Sequence, residues 1–513
     1  MNLATIIEPH PADAVAFRHD GRSFSYGELR DHATVTRAHL VRYGVERGDR
    51  VALVFPTTPA FAVAYFAALG SGAVAVPLNP ESPVAELATE LGTVRAKVVL
   101  LGGPRAAALR GPLTDLGYLA LELAESGELN GAKDAGSAST AGEAGGAEGD
   151  PGPIVDCAPD DTAVLLFTSG TAGSPKAAIL THGNLRANID QMELAVGLAP
   201  TVDDIGLLVV PPFHIYGLNA VLGIHLFVGA RLVLMERFDA ATLLDLVPRE
   251  GITVLPGVPE LFAALANYSP ATGDELRSVR LACSGAAPLP LEVAERFESR
   301  FGVGIWQAYG LTEASPTVTF PDQHATRRPL AVGVPLPGIE MKIVDLDGQP
   351  VEHGDHGEIL VRGPNVFSGY FEDAVATRAA LDRAGWLHTG DIGVMDDDGS
   401  LTIVDRHKDL VIVSGFNVFP AEVEHVLEEY PAVAEVVVIG VPDPALGESV
   451  RAYVVPTTEA WPEDAVAPEG VTEAELIDYC ARYLASYKCP VNVVFMRELP
   501  RGLHGKALRR ALA

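Results

Sequence analysis

The sequence predicts an α/β protein: a large N-terminal region of parallel α/β layers plus a β-rich subdomain, followed by a small α+β domain at the C-terminal end. Three observations predict it. Apolar strand-like runs alternate with helical patterns over 51–101, shorter β-like segments between Asp/Gly turns begin after about Ala331, and a third texture starts past Asp405. The division is set at 1–405 and 406–513.

In chain order, strands are expected at 51–55, 73–76 and 98–101, with helices over 60–70 and 86–95 between them. Repeated strand-helix-strand units with short connections imply a parallel sheet covered by helices. Between about 125 and 153 the chain is Gly-, Ala-, Ser- and Glu-rich, without a large apolar residue from Leu129 to Ile154. It reads as a disordered insertion. Strand patterns resume at 162–167, 177–180, 204–210, 230–235, 253–255 and 279–284, then at 340–344, 357–361 and 401–404. In the last hundred residues, Val423, Val426, Leu427 and Tyr430 share a helical face, strands are expected at 433–441, 450–455 and 491–496, and Thr472 with Glu475 forms a capping box.

Bulk composition narrows the function. With 513 residues at 48% hydrophobic content, the chain can bury cores for more than one domain. Its 37 Lys and Arg stand against 67 Asp and Glu, a formal charge of -30, which argues against broad contact with nucleic acid or anionic membrane. An anionic ligand must therefore meet local cations. No basic, apolar leader pattern and no uncharged stretch of membrane-spanning length is present, so a cytosolic protein is expected. The four cysteines, Cys157, Cys283, Cys480 and Cys489, have neither zinc nor disulfide spacing and read as reduced packing residues.

The chemistry centres on Thr168-Ser169-Gly170-Thr171-Ala172-Gly173-Ser174-Pro175-Lys176, a loop between two apolar strand patterns. Hydroxyls, glycines and one lysine supply donors able to wrap an anion. Pro175 and Ala177 exclude a Walker A loop. Alone, the stretch reads more readily as a flexible surface loop, since such loops far outnumber nucleotide sites. Other short stretches carry similar ambiguity: His214 and Tyr216 in a Pro-Pro-Phe-His-Ile-Tyr-Gly turn, and Gln307-Ala308-Tyr309-Gly-Leu-Thr312-Glu313, which offers an aromatic for a base, a hydroxyl for phosphate and a carboxylate for Mg²⁺. Thr389-Gly-Asp391, Asp405-Arg406-His-Lys408-Asp409, Ser414-Gly415-Phe-Asn-Val-Phe-Pro-Ala-Glu422 and Gly505-Lys506 complete the set. Taken singly, each is readable as a turn, a cap or a solvated charge cluster.

Their order along the chain resembles the adenylate-forming superfamily of acyl-CoA synthetases, luciferases and peptide-synthetase adenylation domains, over nearly the whole length. The resemblance implies ATP, Mg²⁺ and CoA as cofactors. It places the ATP phosphates on Thr168, Ser169, Gly170, Thr171, Gly173 and Lys176, the adenine beside Gln307, Ala308 and Tyr309, and the ribose on Asp391 and Arg406. It gives the α-phosphate to Thr312, Mg²⁺ to Glu313, the hinge to Lys408, the pantetheine passage to Ser414 and Gly415, and adenylation catalysis to Lys506. His214 joins the catalytic set, and the C-terminal domain is expected to be mobile between two steps: acyl-adenylate formation, then attack by a thiol.

Departures from the family pattern are Ala172 for threonine, Ala177 and Ala308 for glycine, and Leu503-His504 for a small polar pair. Amino-acid-activating relatives carry aspartate after the phenylalanine of the Phe-His turn; here it is His214. The acyl pocket is assigned to His214, Ile215, Tyr216, Gly285, Ala286, Ala308 and Leu311, with Asn219 and Val258 as further candidates. These are mainly apolar and suit a medium- or long-chain fatty acid. Alternatives are an aryl or short-chain acid, an enzyme that loads an acyl carrier protein, a silent binding module and a luciferase-like oxygenase.

Overall fold

The computed structural model describes residues 1–124, 126–130, 151–168, 175–195, 198–321, 327–328, 330–345, 348–352, 354–355, 357–406, 411–418, 420–457, 470–500 and 512. Among these, the strands form two seven-stranded sheets, each parallel except at its edges. The first runs Leu129–Asn130, Leu119–Leu123, Val98–Leu101, Arg50–Val54, Val74–Leu78, Thr162–Thr168, Lys176–Thr181. The second runs Ile305–Gln307, Leu281–Ser284, Val254–Gly257, Ile205–Leu208, Arg231–Leu234, Val15–His19, Arg22–Ser25.

Burial explains the uniformly apolar segments. All four residues of Val98–Leu101 are buried, as a strand covered on both faces requires. Helix Pro59–Gly70 buries all twelve of its residues because it is enclosed between the first sheet and helix Tyr26–Arg42, and its many alanines permit that close approach. Pro59 opens this helix, where its missing N–H costs nothing.

The N-terminal hairpin was not anticipated. Strand Val15–His19 joins the second sheet beside Arg231–Leu234, with Phe17 opposite Leu232. Helix Tyr26–Arg42 follows through a capping box of Ser25 and Glu28. Its inward face includes Thr36 and Arg37, the latter donating through Nη2 to the carbonyls of Gly152 and Pro153, so its apolar periodicity is broken. Within the insertion expected at 125–153, Leu129–Asn130 pairs with Leu119–Leu123 and the carbonyls of Gly152 and Pro153 accept from Arg37, while 125 and 131–150 lie outside the described residues.

A four-stranded antiparallel sheet, Glu340–Val344, Gly357–Arg362, Leu387–Met395, Leu401–Arg406, supplies the expected β-rich subdomain. Sheet membership then changes. Val411–Val413 belongs to a five-stranded sheet with Phe416–Val418, Gly447–Pro456, Val433–Asp443 and Asn492–Phe495. Helices Pro420–Glu428 and Glu473–Tyr483 cover it over a separate core that includes Val423, Leu427, Leu476 and Cys480. Thr472 and Glu475 form the capping box that the sequence predicts. All four cysteines are free and buried.

Candidate active site

A cavity of about 880 Å³ opens where the carboxyl ends of both parallel sheets face the antiparallel sheet and the C-terminal unit. Crevices at the ends of parallel strands are where open α/β sheets place ligands. The hairpin Thr168–Lys176 reaches one end. Thr168 and Lys176 are register partners across the antiparallel pair, and both line the cavity with Pro175. Ser169, Gly170, Thr171, Ala172, Gly173 and Ser174 between them lie outside the described residues.

Facing this hairpin is the single-turn helix Thr312–Ala314. Tyr370 donates its hydroxyl to Glu313 Oε1 at 2.6 Å, and Lys176 Nζ stands 5.5 Å from the centre of the Tyr370 ring. Burial and the neighbouring Glu313 carboxylate push the Tyr370 phenol well above its usual range, so it remains a donor. Glu313 thus presents a carboxylate to a pocket that also holds the hydroxyls of Thr168 and Thr312 and the ammonium of Lys176. Such hard oxygen donors fit Mg²⁺ shared with phosphates.

Along the same wall, Tyr309 donates its hydroxyl to Asp391 Oδ2 at 2.7 Å. Asp391 is buried on strand Leu387–Met395, where it is the register partner of Arg406. Ala308 and Tyr309 line the cavity, but the Gln307 side chain does not: its Oε1 accepts from the Leu289 backbone N–H at 3.0 Å. The reason is alternation along strand Ile305–Gln307, which directs Gln307 into the layer behind.

His214, Ile215 and Tyr216 also line the cavity, with Gly285, Ala286 and Leu311. The His214 ring lies 4.9 Å from Phe213 and 4.7 Å from Phe416. Burial, with a smaller contribution from the charge of Lys488, pushes its pKa down to about 4, so the imidazole is neutral at physiological pH. Its Nε2 is buried and has no hydrogen-bond partner. Tyr216 begins a wide helix, Tyr216–Gly223, and its hydroxyl donates to the Cys283 carbonyl at 3.1 Å. This holds the ring beside Gly285, where an added Cβ would lie 3.3 Å from it. Asn219 is not a pocket residue. It is buried with its amide donating to Leu185 O and Ser315 O, the structural reading that a lone polar residue in an apolar helix invites.

Ser414 and Gly415 also line the cavity, at φ 50° and 81°, with Gly415 packed on Val258. Lys408 and Lys506 lie outside the described residues, and the Arg406 side chain is not described. The sequence reading missed Tyr370, Phe416, Tyr487, Lys488, Glu86, Glu90 and Glu260, all of which reach this cavity. Phe416 stands inside the quoted Ser414–Glu422 stretch, and that adjacency was the available signal. Tyr370 had none, since its partner Glu313 is 57 residues away.

Glu260 gives a pH prediction. Burial raises its carboxyl from 4.5 to about 7, and its Oε2 has no partner. The folded state holds a proton that the unfolded chain releases above about 4.5, so this contribution is present at acid pH and lost as pH rises through about 7. Glu260→Gln removes the loss. Its apparent Tm should exceed that of the parent by about 2–4 °C near pH 8 and match it near pH 5, measured by scanning calorimetry. A gap of equal size at both values would separate the effect from ionisation.

A carboxylate- and hydroxyl-bearing wall, a mainly apolar pocket and a glycine-containing loop from a second unit meet in one cavity, an arrangement suited to an ATP-dependent, AMP-forming acid–thiol ligase. The chain belongs to the AMP-binding enzyme family, whose family model matches residues 4–371, with the AMP-binding enzyme C-terminal domain matching 422–506. It is 36% identical over 504 residues to a feruloyl-CoA synthase of Amycolatopsis sp, covering 98% of this chain and 95% of that protein. It is 35% identical over 529 residues to a long-chain-fatty-acid–CoA ligase of Yersinia pestis, covering 98% and 91%. Among solved structures, o-succinylbenzoate CoA synthetase from Bacillus subtilis superposes with a TM-score of 0.85 at 29% identity, covering 100% of this chain and 97% of that one. The protein is an acyl-CoA ligase that uses ATP and CoA.

Proposed function

We propose that this ligase activates an apolar monocarboxylic acid, a medium- or long-chain fatty acid, in the cytosol. The observation that supports this is the mainly apolar acyl end of the cavity, walled by Ile215, Tyr216, Val258, Leu261, Ala286 and Leu311, with Glu260 as its carboxyl group. Among the described residues that line the cavity the lysines are Lys176, beside Glu313 and Tyr370, and Lys488, which two carboxylates already hold. A second substrate carboxylate would therefore meet no free lysine among the described residues of this wall, and burying it unpaired would cost several kcal/mol.

In the first step the acid's carboxylate oxygen attacks the α-phosphorus of ATP. The new P–O bond forms as the bond to pyrophosphate breaks. Thr168, Lys176 and the loop between them hold the phosphates, Thr312 meets the α-phosphate, Ala308 and Tyr309 flank the adenine with the backbone of Gln307, and Asp391 and Arg406 hold the ribose. Lys506 neutralises charge on the oxygens of the reacting phosphate. Glu313 holds Mg²⁺, which when bound neutralises phosphate charge. In the second step the CoA thiol enters past Ser414 and Gly415 and attacks the acyl carbonyl. The C–S bond forms as the C–O bond to AMP breaks and the thiol proton passes to solvent, while neutral His214 orients the carbonyl. The unit from 406 onward moves between the steps about Lys408.

An aryl acid is the second reading, favoured by the narrow slot between the Tyr216 ring and Gly285. AMP release and thioester formation with octanoate, dodecanoate, palmitate, ferulate, benzoate and malonate separate the two. Palmitate or dodecanoate giving the highest kcat/KM supports the first reading, ferulate the second, and malonate overturns both. Replacing CoA by a phosphopantetheinylated carrier protein tests that acceptor. Tyr216→Ala widens the slot and should raise the palmitate-to-octanoate ratio of kcat/KM by about tenfold, the worth of one to two kcal/mol of apolar contact.

A further inference from the structure

The last wall of the cavity is a buried ionic contact between the two ends of the chain. Lys488 donates to Glu86 Oε1 at 2.6 Å and to Glu422 Oε1 at 2.9 Å, and all three side chains are at most 10% exposed. Glu86 lies on helix Val84–Val94, which packs beside the first sheet, whereas Glu422 lies on Pro420–Glu428 of the C-terminal unit. Glu90, one turn after Glu86, is also buried and interacts with the same centre. Glu86 and Glu422 therefore share one ammonium, while burial and the Glu86 charge raise the Glu90 carboxyl and favour its protonated form, and the Oε2 atoms of Glu86, Glu90 and Glu422 each lack a hydrogen-bond partner.

Next to Lys488, the Tyr487 ring stacks on Phe416 at 4.5 Å, and Phe416 lies 4.7 Å from His214. Phe416 directly follows Ser414 and Gly415, whose left-handed backbone turns the loop onto Val258. A continuous set of contacts thus runs from Glu86 through Lys488, Tyr487 and Phe416 to the loop over His214.

We propose that Lys488 is a positioning residue for thioester formation: anchored on Glu86, it holds Tyr487 and Phe416 over His214 and sets the Ser414–Gly415 loop at the cavity mouth. Thioester formation is the step concerned, so the role depends on the ligase reading given above. An ionic anchor suits this task. The desolvation of buried charges nearly offsets their attraction, so the contact is selective in geometry yet weak in net energy, and the unit that carries it can leave. A purely apolar seam would favour the docked position throughout.

Glu86→Gln tests this, because it removes the charge from the contact between units and leaves the Lys488–Glu422 pair in place. The two half-reactions are measured on the full chain, with whichever acid of the panel gives the fastest AMP release. Pyrophosphate release reports adenylation, and acyl-CoA formed from supplied acyl-adenylate and CoA reports the second step. The second step is expected to fall by about ten- to a hundredfold while adenylation stays within about twofold, so that acyl-adenylate accumulates. Lys488→Met should give the same split and Lys488→Arg should restore much of the second step. Equal loss in both half-reactions, or no loss in the second, overturns the positioning role. Absence of AMP release by the parent enzyme with every acid would instead overturn the ligase reading.

Discussion

Lys506→Ala should lower acyl-adenylate formation by about 10²–10³-fold and leave acyl-CoA formation from supplied acyl-adenylate within about threefold of the parent. The asymmetry follows from charge. In adenylation, negative charge on the oxygens around the α-phosphorus must be met in a protein whose formal charge is -30. A single well-placed cation there acts in a water-poor site and is worth several kcal/mol of barrier. Thiol attack on the mixed anhydride expels AMP, a better leaving group that needs less help. Stopped-flow pyrophosphate release and acyl-CoA chromatography give the two rates. Equal losses would take Lys506 out of the adenylation role.

Glu313→Gln should cost about 10²-fold in kcat/KM for ATP and raise the Mg²⁺ concentration needed for half-maximal rate. The amide keeps the shape and can still accept from Tyr370, whose hydroxyl meets Glu313 Oε1 at 2.6 Å, so geometry is largely preserved while the charge is lost. Tyr370→Phe removes only the hydrogen bond and should cost about ten- to thirtyfold, in line with about 1.5–2 kcal/mol, the lower part of the range for a hydrogen bond to a charged group. An unchanged Mg²⁺ requirement in Glu313→Gln would show that the carboxylate does not hold the ion.

Much of the architecture is legible in the sequence because its physics is local. Strands such as Val98–Leu101 are buried on both faces and are therefore continuously apolar, and Thr472 with Glu475 spells a helix start within four residues. What was not legible depends on partners far away. Arg37 looks like a solvent-facing residue until the carbonyls of Gly152 and Pro153 reach it. Asn219 reads as a pocket residue until Leu185 and Ser315 claim its amide.

The same division holds at the candidate site. Side chains inside short motifs, such as Glu313 and Asp391, could be singled out because each motif offers several chemical functions in a few positions. Lys488 and Glu86 stand 402 residues apart, and neither stretch contains anything unusual. Glu86 and Glu90 have the spacing of an ordinary solvated helix face, yet both are buried, because the C-terminal unit covers that face.

The N-terminal hairpin has a consequence in time. Val15–His19 completes the second sheet beside Arg231–Leu234, so on the ribosome it emerges about two hundred residues before its partner exists. At roughly 5–20 residues per second that is a delay on the order of ten to forty seconds, during which Phe17 and Phe24, both fully enclosed in the finished protein, have no sheet to enter. Slow codons placed between these strands should lengthen the interval and lower the soluble yield, whereas the same codons placed after Leu234 should not.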